Sequence, residues 1–324
     1  MSAAAQLAPP LEWIRSDLQQ VERLLSEAVA QADEPLRPLL GQALDGGKRL
    51  RAALVILAGR MTSAPHAACL GLAAAVEMLH AATLVHDDVL DCSPLRRGRD
   101  TLHNSWPAST AVLAGDYLLA QSTCWVAKLG HPRLLQVFSQ ALCDICSGEI
   151  RQTLVTKGRH RDRDEYYRSI EAKSAALFAT AMEMPGILAG AAEEKVRALA
   201  GYGRDLGLAF QIVDDVLDLT GDESELGKPA GSDLRQGLIT LPTLHYLQEA
   251  GEDALVREVL AGRHDDRRVA AAIQAIRSSG AVEASLAEGR AHARQAQQAL
   301  EVFPPSAARQ TLHALAEFVV NRRH

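Results

Sequence analysis

Along most of the chain, apolar residues recur three and four positions apart. The segment LEWIRSDLQQVERLLSEAVAQ, residues 11–31, is the clearest case. That spacing places one apolar stripe on a helix of 3.6 residues per turn. The same pattern predicts helices over 48–61, 67–90, 109–129, 132–156, 164–190, 193–219, 239–249, 252–261, 268–300 and 306–321. Breakers separate them at Gly46-Gly47, Ser63 to Pro65, Ser93-Pro94, Gly98, Trp106-Pro107, Gly130 to Pro132, Gly227 to Gly231 and Phe303 to Pro305. No alternating strand pattern, fixed repeat or linker stands out. The expectation is one all-α domain over residues 1–324, built from many long helices. Pro185 interrupts an apolar helix and predicts a kink. The charged stretch 156–168 reads as a solvated loop and helix start.

Composition narrows this picture. Hydrophobic residues make up 48% of 324 positions, enough for a sizeable core, and aromatics only 4%. The formal charge of -6 gives no support to a nucleic-acid surface. No uninterrupted apolar run of about 18 residues occurs, so no transmembrane segment is expected. The first residues lack the pattern of a signal peptide, which points to the cytoplasm. Five scattered cysteines suit a reducing compartment. Cys143 and Cys146 form a lone CxxC without further zinc ligands nearby, and read as helix-packing thiols.

Candidate chemistry gathers at LHAATLVHDDVLDCSPLRRG, residues 79–98. Asp87, Asp88 and Asp91 end an apolar helix, with Asp87 and Asp91 on one face. Like charges so close repel unless a cation lies between them, and clustered carboxylates suit magnesium. One such motif reads equally well as a solvated acidic helix end. A second, FQIVDDVLDLTGD, repeats the spacing with Asp214, Asp215 and Asp218. Two helices ending in DDVLD can face one another across a cleft, so that six carboxylates line one mouth. Its natural occupant is a polyanion bridged by magnesium.

Basic residues surround these motifs in the chain. DGGKRLR, residues 45–51, places Lys48 and Arg51 on a helix that starts after two glycines, a setting that favours anions. Arg96 and Arg97 follow the first motif, and Lys173 and Lys228 flank the second. Each alone reads as a surface cation. His80, two turns before Asp87, alone reads as a core histidine.

At these residues the chain resembles the trans-polyprenyl diphosphate synthases. The likeness runs through GGKRLR (46–51), EMLHAATLVHDDVLDCSPLRRG (77–98), VLAGDYLLAQS (112–122), GEIRQ (148–152), EAKSAALFATA (171–181), FQIVDDVLDLTGD (210–222), LGKPAGSDL (226–234), GLITLPTL (237–244) and the ending LAEFVVNRRH. The resemblance implies a bundle of long helices around a central cavity. It implies a homodimer and a magnesium-dependent condensation of isopentenyl diphosphate with an allylic diphosphate. Asp87, Asp91 and Asp214 would then be metal ligands, and Asp88, Asp215 and Asp218 ligands or their supports. Arg96, Lys173 and Lys228 would hold the allylic diphosphate. Lys48, Arg51, His80 and Arg97 would hold isopentenyl diphosphate. Ser174 and Gln211 would place oxygen dipoles near the allylic cation.

The chain departs from the family pattern at Ala52, Ser174 and Leu238, where Pro, Thr and Lys are usual. Leu238 removes one expected phosphate contact. A terpene cyclase has no need of a second diphosphate site, against Lys48, Arg51 and Arg97. A non-catalytic regulatory subunit would be expected to lose acidic residues, and none is lost. The product is read from the helix bearing the first motif. Ala82 and Thr83 lie one turn below Asp87, with Leu79 and Met78 deeper, and no aromatic plug blocks the path. This predicts a long chain rather than farnesyl or geranylgeranyl diphosphate.

Overall fold

The computed structural model describes residues 9–96, 98–156, 162–221, 230–251, 253–263 and 265–322. Arg97 and Lys228 lie outside them. The helices are α1 Arg15–Ala30, α2 Arg37–Leu44, α3 Leu50–Thr62, α4 His66–Leu90, α5 Leu102–Ser105, α6 Ala108–Ala127, α7 Pro132–Thr156, α8 Arg163–Ile170 and α9 Ala176–Leu188. They continue as α10 Glu193–Thr220, α11 Ser232–Arg235, α12 Leu241–Ala250, α13 Ala254–Leu260, α14 Asp266–Ser278, α15 Ala281–Ala299 and α16 Ala307–Asn321. The fold is all-α, as the periodicity predicts. A π-helical segment, Glu171–Ala175, joins α8 to α9.

Local chemistry explains most departures from the predicted elements. The helix α2 begins two residues after Pro35 and carries Pro38 in its first turn, where the missing N–H costs nothing. The span 268–300 is two helices, because Ser279 is extended and its hydroxyl accepts from Ala281 N–H at the start of α15. One tiny hairpin, β1 Leu95–Arg96 with β2 Arg99–Asp100, corrects the expectation of no strand. It is too short for alternation to register. Pro185 lies within α9, which continues through it.

The chain divides into two compact units. The first comprises Met1–Leu142, Leu177–Gly203 and Gln297–Leu315. Its centre is α4, apolar on nearly every face and packed against α1, α3 and α6. By length and composition α4 could cross a bilayer, but 72% of its most apolar window is buried inside the protein. Close approach matters at Gly203, where an added Cβ would collide with the Phe178 carbonyl oxygen. The second unit comprises Cys143–Ala176, Arg204–Ala296 and Ala316–His324. One of its cores gathers Tyr166, Ile170, Ala175, Leu208, Ile212, Leu241 and Leu244.

Two side-chain expectations are corrected. Cys143 and Cys146 are exposed rather than packed. The buried stripe of α7 runs through Leu134, Phe138, Ala141 and Ile145, and the two thiols fall beside it. Cys69 is the buried cysteine, and burial pushes its thiol up to about 11. Tyr166, within the stretch read as solvated, is buried.

Candidate active site

In the first unit, α4 delivers its three carboxylates to its last turn, with Asp91 as the C-cap. Carboxylates there oppose the negative end of the helix dipole as well as one another. They differ in surroundings. Asp91 is exposed and Asp87 partly so, whereas Asp88 is buried. Arg96 Nε donates to Asp88 Oδ1 at 2.7 Å. Burial pushes the Asp88 carboxyl above its ordinary value, and the Arg96 guanidinium opposes that rise. The hairpin is what brings Arg96 back onto the helix end. Thr101 anchors its base by donating to the Ser93 carbonyl at 2.8 Å.

The basic stretch before α3 is arranged differently from the expectation. Lys48 is not on the helix, which begins at Leu50; it is exposed on the loop before it. Gly46, Gly47 and Arg49 have φ of 76°, 100° and 48°, a left-handed path that ends before regular helix can start. The unpredicted pair Arg49 and Glu77 secures this path. Arg49 bonds Glu22 and the Leu44 carbonyl, and reaches Glu77 at 3.5 Å. Buried Glu77 also accepts the Ala52 N–H at 2.9 Å, satisfying one of the open donors of α3. An acid inside the apolar stripe of α4 is the sequence signal for this role. Arg51 does lie on α3, with its guanidinium 4.5 Å from the Phe178 ring centroid. His80 is partly buried on α4.

In the second unit, α10 carries the other acidic motif in its last two turns. Asp214 has 46% of its side chain exposed, while Asp215 and Asp218 are buried. Asp215 accepts from Gln211 Nε2 at 2.8 Å and from the Tyr166 hydroxyl at 2.7 Å. Gln211 Oε1 accepts in turn from the Ser174 hydroxyl at 2.6 Å. Asp218 accepts the Asp233 N–H at 3.1 Å, at the start of α11. Lys173 pairs with Glu149 at 2.6 Å. Lys173 and Ser174 both lie on the π-helical segment, a distortion often found at functional sites.

The six carboxylates are therefore not equivalent. Asp88, Asp215 and Asp218 are buried and hydrogen-bonded by the protein. Asp87, Asp91 and Asp214 face outward to differing degrees. Such oxygen donors suit a hard divalent cation. Among the described residues, no group of three or more Asp, Glu, His or Cys side chains is placed to hold a metal ion by itself. Magnesium does not require one, because it is usually held by one or two carboxylates together with substrate phosphate oxygens. The donor set fits the metal.

A model of the polyprenyl synthetase family matches residues 33–276. The heptaprenyl diphosphate synthase component 2 of Geobacillus stearothermophilus is 38% identical over 96% of this chain and 97% of its own. A short chain isoprenyl diphosphate synthase of Methanothermobacter thermautotrophicus is 36% identical over 86% of this chain and 87% of its own. A crystal structure of polyprenyl synthase from Caulobacter crescentus, complexed with calcium and isoprenyl diphosphate, superposes with a TM-score of 0.91. It is 36% identical and covers 97% of both chains.

Proposed function

Because the chain belongs to the polyprenyl synthetase family, we propose that it condenses isopentenyl diphosphate with an allylic diphosphate to build an all-trans polyprenyl diphosphate. The observation that carries this reading is the repeated DDVLD helix end, each with an outward first carboxylate and a buried, hydrogen-bonded second. The product is assigned as roughly thirty to fifty carbons, from the small residues one helical turn below Asp87. The heptaprenyl relative supports that length.

Asp87, Asp91 and Asp214 are the residues that would hold magnesium. When bound, the metal supplies Lewis-acid stabilisation of the negative charge on the departing diphosphate. Asp88, Asp215 and Asp218 orient the cluster through their hydrogen bonds with the protein. Arg96, Lys173 and Lys228 neutralise the allylic diphosphate as its carbon–oxygen bond breaks. The hydroxyl oxygen of Ser174 and the amide of Gln211 offer dipoles to the allylic cation. Lys48, Arg51, His80 and Arg97 orient isopentenyl diphosphate so that its double bond attacks that cation. The proton then released goes to the departing diphosphate. Water must be excluded, because it would otherwise trap the cation as an alcohol.

We assign the enzyme as a cytoplasmic homodimer that works without a different subunit. The name of the Geobacillus relative raises a second reading, in which this chain is one component of a two-part enzyme. Incubation of the purified chain alone with magnesium, labelled isopentenyl diphosphate and an allylic primer tests both. Incorporation into long products is expected. No incorporation with any primer, restored by a second subunit, would favour the two-part reading.

The two diphosphate sites are separable. Lys48 is exposed on its loop, and losing one charge-assisted contact costs about 1.5–3 kcal/mol. Lys48→Ala is therefore expected to raise KM for isopentenyl diphosphate roughly 10- to 100-fold, with little change in KM for the primer. The reverse pattern would exchange the assignments.

A further inference from the structure

Arg322, immediately after α16, lies in the ending LAEFVVNRRH, to which the sequence assigns no role in the site. Only 7% of its side chain is exposed. Its guanidinium lies 3.8 Å from the centroid of the Phe210 ring. It donates to the Phe210 carbonyl at 2.9 Å and forms an ion pair with Asp214 Oδ1. Phe210 and Asp214 are four residues apart on α10, so one helical turn supplies the ring, the carbonyl and the carboxylate. Burial lowers the guanidinium's pKa from its ordinary value, and the Asp214 charge opposes that fall.

The pair is asymmetric. Here the cation is buried and fixed from three sides, while the carboxylate remains half exposed. The pair engages Oδ1, which leaves Oδ2 for a second partner. Ligating carboxylates are commonly fixed by just such a hydrogen bond from a neighbouring group.

We propose that Arg322 is a positioning residue that holds Asp214 in the orientation required to bind the divalent cation. The proposal rests on the reading of Asp214 as a metal ligand. It has a definite sign: if Arg322 merely competed with the metal for Asp214, its removal would tighten metal binding.

The test is a titration of the full chain with Mn²⁺ alone, with free Mn²⁺ followed by electron paramagnetic resonance. Arg322→Ala is expected to weaken Mn²⁺ binding at the affected site by about 10-fold or more. Arg322→Lys keeps the charge but loses the planar fork, and is expected to recover part of the affinity. Asp214→Asn is expected to lose that site. The melting temperature of each metal-free variant separates folding from metal binding. If Arg322→Ala does not fold, an affinity below wild type in folded Arg322→Lys carries the proposal. Unchanged or tighter binding in the folded Arg322 variants, whether or not their melting temperatures fall, overturns the positioning role while leaving Asp214 as a ligand. Unchanged binding in Asp214→Asn overturns the ligand assignment itself, and the proposal with it.

Discussion

Asp87→Asn and Asp214→Asn are each expected to lower turnover by about 10²- to 10³-fold, the scale on which loss of one group that stabilises developing charge is felt. The two side chains are the outward-facing first members of their motifs, while Asp88 and Asp215 beside them are buried and hydrogen-bonded by the protein. An Asn keeps the shape and one oxygen but removes the charge that attracts the metal. Folding should survive both changes. At Asp87 the substitution relieves repulsion from Asp91 and from the C-terminal end of the α4 dipole, worth a few tenths of a kcal/mol. At Asp214 it weakens the ion pair with Arg322, so a modest fall in melting temperature is expected there. Steady-state turnover at saturating magnesium, measured beside thermal denaturation, checks the pair. Near-normal turnover in either variant removes that residue from the metal site.

The second large effect concerns product length. Ala82→Phe is expected to shift the product from a long chain to about fifteen or twenty carbons, with activity retained, because it places a ring one turn below the reacting carbons. Ala82, Leu79 and Met78 are all buried on α4. Thr83 is partly buried, and its hydroxyl donates to the His80 carbonyl at 2.8 Å. That bond satisfies the hydroxyl within its own helix, so an apolar chain passing it leaves no donor orphaned. Overpacking a buried alanine costs roughly 1–3 kcal/mol where no space exists. Two measurements together therefore decide the matter. Shortened products with a nearly unchanged melting temperature place Ala82 on the tunnel. Unchanged product length with a lowered melting temperature assigns it to helix packing and moves the tunnel floor elsewhere.

Much of this protein is legible from local spacing alone. Apolar residues three and four apart determine which segments are helical and which face of each is buried, because that periodicity is a property of the helix itself. The same arithmetic puts Asp87 with Asp91, and Asp214 with Asp218, before any fold is known. Proline and glycine fix most boundaries, although Ser279-Gly280 and α2, with Pro38 in its first turn, escape notice. Local spacing also says that Lys48 and Arg51 are near one another, but not that the helix begins between them.

What spacing cannot reveal is which members of a motif face outward. That depends on partners distant in sequence: Tyr166 lies 49 positions from Asp215, Arg49 lies 28 from Glu77, and Arg322 lies 108 from Asp214. Such pairs leave no periodic trace, since each is created by the path of intervening helices. The same holds for Cys143 and Cys146, whose exposure follows from where α7 turns its apolar stripe. Residue type and spacing thus determined the helices and the chemical class of the site. Only the tertiary structure decided which carboxylates are buried and which are exposed, because burial and long-range hydrogen bonds are properties of packed helices and not of any one of them.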